Sequence, residues 1–248
     1  IARYGAEYRT ILPLAKAVIV VSQVMKMDIE GICGPLKNLH VLPYGVDIEK
    51  FKPRTNASKQ SIQLISVGRL TGKKAPQLVI RSFAIVKNEI TDAELILIGG
   101  GELQKECADL IQQLHLQDSV KLLGVKTPAE IASYLAASKI FVQHSLRTAS
   151  GDSEGTPNTI LEASATGLPI VSTKHAGIRE AVVNGQTGYL VEEGDYELMA
   201  QKIIDLLSDS QLVENMGAAA RKHMEQHYEM SFRIQALRNI LNAAQHAN

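Results

Sequence analysis

The sequence predicts an α/β fold built on a doubly wound parallel sheet, with helices covering both faces. From Ser61 onward, short runs rich in β-branched residues alternate with helical stretches that are bounded by Gly, Pro, Asp or Thr. This alternation is typical of a parallel sheet with crossover helices. The strand candidates are also apolar on both faces, as strands buried between two helix layers are.

The individual elements follow from these patterns in chain order. Strands are predicted at 62–67, 94–98, 119–123, 139–142, 169–172 and 189–191. Helices are predicted near 76–87, 102–115, 128–137, 158–166, 178–183 and 196–207, each starting close to Gly, Pro, Thr, Asp or Asn. The first of these helices carries a broad apolar set, including Leu78, Ile80 and Phe83, which fits a helix lying on a sheet. Two or three further helices complete the chain.

Before Ser61 the pattern changes and resembles the tail of another domain. It predicts a strand at 17–21, a helix at 23–31, a strand around 39–42 and a loop at 43–53. An isolated strand cannot pair its backbone groups without neighbours, so the strand at 17–21 is predicted to complete a sheet whose other strands lie upstream of Ile1. Because the sequence begins with Ile1 instead of Met, we expect it to be a piece of a longer protein.

Composition restricts the class of protein. The chain has 248 residues, with 26 basic and 26 acidic side chains and 45% hydrophobic residues, which predicts a soluble globular protein. A net charge of zero argues against a general nucleic-acid binder, which needs excess Lys and Arg to displace counterions. Cys33 and Cys107 have neither metal-site spacing nor the density of a disulfide scaffold, so a reducing compartment is expected. No run approaches the roughly 20 apolar residues of a membrane-spanning helix.

The most informative stretch, 151–163, is a loop that follows a strand and leads directly into a helix. Open α/β folds bind ligands at this carboxyl edge of the sheet, and backbone N–H groups at a helix start attract anions. The N–H groups around 156–159 are therefore predicted to face an anion such as phosphate. Taken alone, Glu162 could equally well bind a ligand or only complement the helix dipole. Its pairing with Glu154 across the Gly-Thr-Pro-Asn turn favours a binding role.

Three cations follow the first strand of this sheet, in the loop at 66–74. Arginine forms bidentate hydrogen bonds to phosphate, whereas lysine acts as a mobile point charge. Arg69 and Lys74, which lie five apart across a glycine turn, are predicted to bind an anionic ligand. Lys73 is predicted to be solvated.

Other motifs narrow the choice of ligand. Three glycines at 99–101 resemble part of a dinucleotide fingerprint, but its third glycine position holds Gln104. No acidic residue follows the next strand to hold a ribose, which argues against a nicotinamide cofactor. The glycines are interpreted as allowing a tight turn against a ligand or another loop. The sequence has no nucleophile elbow and no Walker loop, which argues against a hydrolase and a P-loop protein. Nucleoside-diphosphate binding is the function that remains.

The histidines give no clear metal site. His223 and His227 lie four apart on a late helix without an evident third ligand, so a solvated helix face is predicted. No Asp-x-Asp motif occurs, which favours an anion site without metal. His144 and His175 follow strands at the same predicted edge as Glu154. Each fits a pocket wall and a loop cap equally well.

Five segments in a fixed order carry a resemblance to a known family. They are 41–47, 68–70 with Lys74, 154–158 through Glu162, 165–169 and 188–191. In this order they resemble the retaining GT-B glycosyltransferases of family 4, and Glu154 and Glu162 resemble the E-x7-E motif of that family. The long loop at 145–153, which runs into Gly-Asp-Ser-Glu-Gly, is most similar to bacterial exopolysaccharide enzymes of the colanic-acid type. The resemblance implies the C-terminal half of a GT-B fold, a Rossmann-like domain.

The resemblance also implies a role for each motif residue. Arg69 and Lys74, with Gly68 in the same loop, would hold the donor diphosphate, and Glu162 would bind the ribose hydroxyls. Val125 would lie beside the base. The sugar and distal phosphate would be held by Glu154 and by the backbone of Gly155, Thr156, Pro157 and Asn158. Glu154, Arg69 and Lys74 would form the catalytic group, because fixed cations and N–H groups stabilise the leaving diphosphate without a metal or other cofactor.

By the same resemblance the chain has three parts. Residues 1–45 would be the remnant of an N-terminal acceptor domain with its linker, 46–228 the nucleotide-sugar donor domain, and 229–248 a C-terminal helix returning toward the N-terminal domain. That partner domain is almost entirely missing from the sequence. The helix near 231–242 would then leave an apolar face exposed or paired, formed by Phe232, Ile234, Leu237, Ile240 and Leu241. We therefore expect this piece to self-associate.

The implied activity is that of a retaining, metal-independent hexosyltransferase. It would transfer a sugar from a nucleoside-diphosphate sugar, UDP-glucose or UDP-galactose, to a saccharide or lipid-linked saccharide in polysaccharide biosynthesis. The chain alone is expected to bind donor but hardly to turn it over. Alternative hypotheses are a GT-B sugar-nucleotide epimerase and a non-catalytic nucleotide-binding or scaffold domain. A cytoplasmic location is expected, with peripheral attachment of the full-length protein at the inner face of the membrane and no nucleic-acid partner.

Overall fold

The computed structural model describes residues 4–53, 62–149, 151–152 and 155–246. Its strands are β1 Val18–Val20, β2 Leu39–Val41, β3 Ile62–Val67, β4 Ala93–Ile98, β5 Val120–Leu122, β6 Ile140–Gln143, β7 Ile170–Thr173 and β8 Gly188–Val191. Its α-helices are α1 Gly5–Ile11, α2 Gln23–Cys33, α3 Pro76–Glu89, α4 Gln104–Gln113, α5 Pro128–Ala137, α6 Asn158–Ala165, α7 Ile178–Ala181, α8 Tyr196–Ser208, α9 Ser210–His227 and α10 Met230–His246.

Six strands form one sheet in the order β5-β4-β3-β6-β7-β8, and every neighbouring pair is parallel. The chain first builds outward from β3 to β5 and then returns to pair β6 with β3 on its other side. Strand order therefore reverses between β3 and β6, which opens a crevice at their carboxyl ends. The predicted doubly wound parallel sheet is confirmed.

The core lies on both faces of this sheet. One apolar cluster joins alternate strand residues such as Leu64 to Phe83 of α3 and Met199 of α8. The second cluster lies on the opposite face of the sheet. It joins the intervening strand residues, such as Ile65, to Ile160 of α6 and to residues of α5 and α9. Burying each such large side chain contributes roughly 1.5–3 kcal/mol. The two clusters fix the strand ends relative to the helices that begin there.

The first part of the chain forms a smaller unit. Strands β1 and β2 pair in parallel, with Val18 opposite Leu39, and α2 packs on them through Ile29. The pairing with β2 satisfies one side of β1; partners upstream of Ile1 remain a prediction. Helix α1 was not predicted, and no residue of it is buried.

Hydrogen bonds between described residues join this unit to the larger sheet at two places. The carboxylate of Glu180 in α7 accepts hydrogen bonds from the N–H groups of Gln23 and Val24, at 3.1 and 3.2 Å, and so caps α2. The chain segment after β2 pairs with the junction of α9 and α10, because Val46 bonds with the backbone of Tyr228 and Met230 at 2.8 and 3.1 Å. The domain boundaries at 46 and 229 stay a prediction.

Several predicted helix bounds are wrong by a few residues. Helix α4 begins at Gln104 instead of near 102, and α7 is a single turn that ends at Ala181. Two or three further helices were expected after α8, and the described residues form two, α9 and α10. No residue of α10 is buried. None of the helices in the described ranges is long and apolar enough to cross a bilayer.

Candidate functional site at the carboxyl edge of the sheet

The loops that follow β3 and β4 are bonded to each other. The Gly68 N–H donates to the Ile98 carbonyl at 2.9 Å, and the Leu70 N–H donates to the Gly100 carbonyl at 3.0 Å. Gly99 has φ 140°, and a Cβ there would lie 1.9 Å from the Gly68 oxygen. The glycines thus permit a close approach to another loop, one of the two interpretations drawn from the sequence.

Arg69 and Lys74 both follow β3, on the first of these two loops. Both line a small hollow at the end of β3, which Gln143 of β6 also lines. Arg69 is exposed and Lys74 is half-buried. Gln143 is 2% exposed, and its amide oxygen accepts a hydrogen bond from Thr159 Oγ1 of α6 at 3.2 Å. The two predicted phosphate ligands therefore line one hollow, and Gln143, which sequence reasoning missed, also lines it and is bonded to the first turn of α6.

Lys73 is not solvated as predicted. Its Nζ lies 3.3 Å from Asp152 Oδ1, and its side chain is 17% exposed. Its carbonyl oxygen accepts a hydrogen bond from the Leu146 N–H at 3.0 Å. The prediction was wrong because the loop after β6 folds back onto the loop after β3, a contact between residues distant in sequence.

This contact leaves an open polar cleft of about 350 Å³ next to Arg69. The cleft is lined by Arg69, Thr71, Gly72, Lys73, Glu102, Thr148 and Asp152. It combines two cations, two carboxylates and two hydroxyl groups, the side-chain types that hydrogen-bond a polyhydroxylated or phosphorylated ligand.

The start of α6 lies between α7 and the end of β1. Pro157 precedes the helix, and no side chain of the described residues caps it. Thr156 is buried against Gly177, where a Cβ would approach Thr156 Oγ1 to 2.1 Å. A Cβ on Gly155 would lie 3.5 Å from Val21, and Asn158 is exposed. The uncapped N–H groups of a helix start can receive an anion.

The structure describes only one of the two glutamates of the predicted motif. Glu154 lies outside the described residues. Glu162 is the fifth residue of α6, on its second turn, and is half-buried. Burial raises the pKa of Glu162 above its usual value, and the positive charge of Lys50 opposes this. Because helix-dipole effects fall off within the first turn, a dipole-complementing role explains Glu162 poorly.

Val125 lies on the loop after β5 and is 80% exposed. Its side chain faces Gly100 of the β4 loop, since a Cβ on that glycine would lie 3.4 Å from Val125 Cγ2. An exposed apolar side chain at the ligand edge of a sheet can cover a flat ring. Val125 is thus on the β4 and β5 side of the crevice, away from the start of α6.

His144 and His175 connect loops at this edge. His144 is fully buried, and its Nε2 accepts a hydrogen bond from the Gly194 N–H at 2.8 Å. Burial lowers the pKa of His144 to about 4, although Glu193 and Asp195 act in the opposite direction. His175 Nδ1 lies 2.6 Å from Glu193 Oε1. The sequence left open whether each histidine lines a pocket or caps a loop, and the contacts of both fit a residue that caps a loop.

The histidine pair on α9 lies away from this edge. His223 is half-buried, with its ring 4.9 Å from that of His227 and 5.6 Å from that of Tyr228. The predicted solvated face is therefore wrong for His223, while His227 is exposed. Across the described parts of the chain, no three His, Cys, Asp or Glu side chains come together as metal ligands.

The fold and the site together define a class of protein. A doubly wound sheet carries cations after β3, an uncapped helix start after β6 and a crevice between these strands. This arrangement is that of α/β domains which bind nucleotides at the topological switch point.

Comparison with known proteins gives the family. Residues 47–223 match the glycosyl transferases group 1, so the chain belongs to this GT-B family. AmsK of Erwinia amylovora, an amylovoran biosynthesis glycosyltransferase, is 31% identical over 236 residues, covering 95% of this chain and 58% of AmsK. WcaL of Escherichia coli, a putative colanic acid biosynthesis glycosyltransferase, is 30% identical over 239 residues, with 96% and 58% covered.

A solved structure supports the fold. HepE of Anabaena, crystallised with UDP and glucose, has a TM-score of 0.82 at 23% identity, over 92% of this chain and 64% of HepE. The chain spans less than two thirds of the length of these relatives.

Proposed function

We propose that this chain is the donor-binding half of a retaining, metal-independent glycosyltransferase of exopolysaccharide biosynthesis. The donor is a nucleoside-diphosphate sugar, UDP-glucose or UDP-galactose, and the acceptor is a saccharide or lipid-linked saccharide. The observation that carries the proposal is the convergence of Arg69 and Lys74 on one hollow, joined through Gln143 to the first turn of α6.

The chemistry fits these residue types. Breaking a sugar–phosphate bond builds negative charge on the leaving diphosphate. Arg69 and Lys74, held by the paired β3 and β4 loops, supply positive charge where that charge develops, and the helix start supplies N–H donors. Glu162 accepts hydrogen bonds from the ribose hydroxyls, Val125 covers the base, and Glu154 orients the sugar.

The comparisons support the donor and the pathway class. HepE was crystallised with UDP and glucose, and AmsK and WcaL take part in the biosynthesis of bacterial polysaccharides according to their names. The retained configuration, the absence of a metal requirement and the low turnover of this chain alone rest on the family resemblance in the sequence motifs.

The test is calorimetric titration of the chain with UDP, GDP, ADP and NAD, with and without magnesium. We expect selective binding of UDP that does not depend on magnesium. Glu162→Ala should weaken UDP binding several-fold, because a hydrogen bond contributes about 0.5–1.5 kcal/mol net. Glu106→Ala, which removes an exposed carboxylate from α4, is the matched control and should leave the affinity unchanged.

The outcomes separate the parts of this proposal. Unchanged UDP affinity in Glu162→Ala would overturn the ribose assignment. Binding of NAD in place of UDP, or of no nucleotide, would overturn the donor-domain proposal itself.

A further inference from the structure

Three loops at the carboxyl edge meet at the carboxylate of Glu193. This residue lies on the loop after β8. Its Oε2 accepts a hydrogen bond from the Arg147 N–H on the loop after β6, at 2.8 Å. Its Oε1 lies 2.6 Å from Nδ1 of His175, on the loop after β7. One side chain thus joins the three loops of one half of the sheet.

The partially exposed Glu193 side chain contacts a residue that is itself buried. His175 is 2% exposed, and the next residue after Glu193, Gly194, donates its N–H to the fully buried His144. Burial alone would raise the pKa of Glu193, but the hydrogen bonds from His175 and the Arg147 N–H outweigh it, so the pKa lies below its usual value. Glu193 is therefore a charged acceptor at neutral pH, and charge-assisted hydrogen bonds of this kind are roughly twice as strong as neutral ones.

The loop held by Glu193 forms one wall of the polar cleft. Thr148, the residue after Arg147, and Asp152, four positions further on, both line the cleft beside Arg69 and Lys73. The Thr148 N–H and hydroxyl both donate to the Asp152 carbonyl, at 2.9 and 3.1 Å, so these two cleft residues are bonded to each other.

The rest of the candidate donor site does not depend on Glu193. The loop with Arg69 and Lys74 is held by its hydrogen bonds to the β4 loop. Glu162 is fixed within α6, and Val125 lies on the opposite side of the crevice. A ligand that contacts only these residues should bind in the same way whether Glu193 is present or absent.

We propose that Glu193 is a positioning residue, which through Arg147 holds Thr148 and Asp152 where the cleft receives the sugar end of the donor. The inference rests on the proposed function, because it takes the diphosphate to lie at Arg69 and Lys74. The hexose then extends past Arg69 into the cleft, where Thr148 and Asp152 offer hydroxyl and carboxylate groups to its hydroxyls.

The experiment compares UDP and UDP-glucose binding in three variants. Glu193→Ala removes both acceptors and should weaken UDP-glucose binding about tenfold, while UDP binding changes less than twofold. Glu193→Gln keeps one oxygen acceptor for the Arg147 N–H and should recover most of that loss. Glu192→Ala is the matched control, because the neighbouring Glu192 is exposed and pairs with Lys174, at 2.6 Å; it should bind both ligands as the wild type does.

A second measurement follows the hydrogen bond directly. Amide hydrogen exchange at Arg147 should accelerate in Glu193→Ala and stay slow in Glu192→Ala, because only the former removes the acceptor of this N–H. A merely structural role would weaken UDP and UDP-glucose equally through general destabilisation.

The possible failures can be told apart. If the wild type binds UDP and Glu193→Ala weakens both ligands equally, or neither, the positioning role is wrong while the donor domain stands. If the Arg147 amide exchanges no faster in Glu193→Ala, the proposed contact is likewise overturned. If the wild type binds neither ligand, the proposed function fails and the donor role of Glu193 fails with it.

Discussion

At the scale of the residue, His144 shows how burial sets charge. The ring is fully buried at the end of β6, and its Nε2 acts as an acceptor for the Gly194 N–H. Acceptance of that hydrogen bond requires a neutral ring. Burial lowers the pKa of His144 to about 4; Glu193 and Asp195 oppose this shift, and His175 adds to it.

This makes stability depend on pH. In the unfolded chain His144 should titrate near 6.5, about the usual value for histidine. Between the two pKa values the unfolded state binds more protons, so the free energy of unfolding should fall as the pH drops from 7 to 5, by roughly 2 kcal/mol from this residue. His223, whose pKa burial also lowers, adds a change of the same sign. Urea unfolding at pH 7, 6 and 5 measures the slope.

The control separates His144 from other groups. His144→Asn should be less stable at pH 7, and its unfolding free energy should change less between pH 7 and 5. His246→Asn removes an exposed histidine at the end of α10 and should keep the wild-type slope. An unaltered slope in His144→Asn would mean that the ring is not held neutral in the folded protein.

The sequence predicted single residues well where local motifs were sufficient. Arg69 and Lys74 were expected at one ligand edge, and the structure brings them to one hollow because both follow β3. Lys73 was predicted wrongly because its partner, Asp152, comes from a loop 79 positions away. Glu193 was missed for the same reason: its partners lie on two other loops, and nothing in its local sequence marks it as a junction.

At the scale of the element, the paired β3 and β4 loops depend on glycine. Gly99 has φ 140°, in a region that side chains rarely adopt, and a Cβ there would lie 1.9 Å from the Gly68 carbonyl oxygen. Gly99→Ala should therefore force the loops apart and break the Gly68 to Ile98 hydrogen bond. We expect a loss of about 1–3 kcal/mol of stability, together with weaker UDP binding because Arg69 moves with its loop.

A second glycine provides the control for this substitution. Gly31 lies in α2, and a Cβ added there would meet no described atom within 4 Å. Gly31→Ala should be neutral or stabilising by up to about 1 kcal/mol, because glycine is unfavourable within a helix. Urea midpoints and UDP titrations compare the two variants. Equal stability and UDP affinity of Gly99→Ala and the wild type would refute the steric argument.

Element type was easier to predict than element ends. The β-branched runs predicted all six strands of the large sheet, because parallel strands buried on both faces must be apolar throughout. The start of α4 was misplaced, because tertiary hydrogen bonds keep the preceding residues in a turn: Leu103 donates its N–H to the Leu70 carbonyl. Helix α1 was missed because it buries no residue and so carries little apolar pattern.

At the scale of the whole molecule, the smaller unit is tied to the larger sheet by few contacts. Glu180 caps α2, and Val46 pairs with the junction of α9 and α10. Within the larger part, Arg221 Nη1 lies within 2.8 Å of the carbonyl oxygens of Ile48, Phe51 and Ala165 and joins the segment after β2 to α6 and α9. Contacts of this kind lie between segments distant in sequence, so local sequence patterns do not predict them.

The last helix leaves apolar surface uncovered. Phe232, Ile234 and Leu241 of α10 are 58%, 45% and 48% exposed, while Leu237 and Ile240 are partly buried. The apolar face expected from the sequence is thus exposed at three of its five positions. Large exposed apolar side chains on one element favour association, because contact removes them from water.

We therefore expect this chain to self-associate through α10 at micromolar concentration. Sedimentation or light scattering should give a mass above the 27.0 kDa of one chain, rising with concentration. The double variant Phe232→Ser and Leu241→Ser should shift the chain to the monomer mass, since it removes much of the exposed apolar area. The matched control, Gln235→Ser and Asn239→Ser, changes exposed polar side chains on the same helix and should behave as the wild type does. A wild-type chain that stays monomeric throughout the micromolar range would show that burying this face does not offset the entropy cost of association.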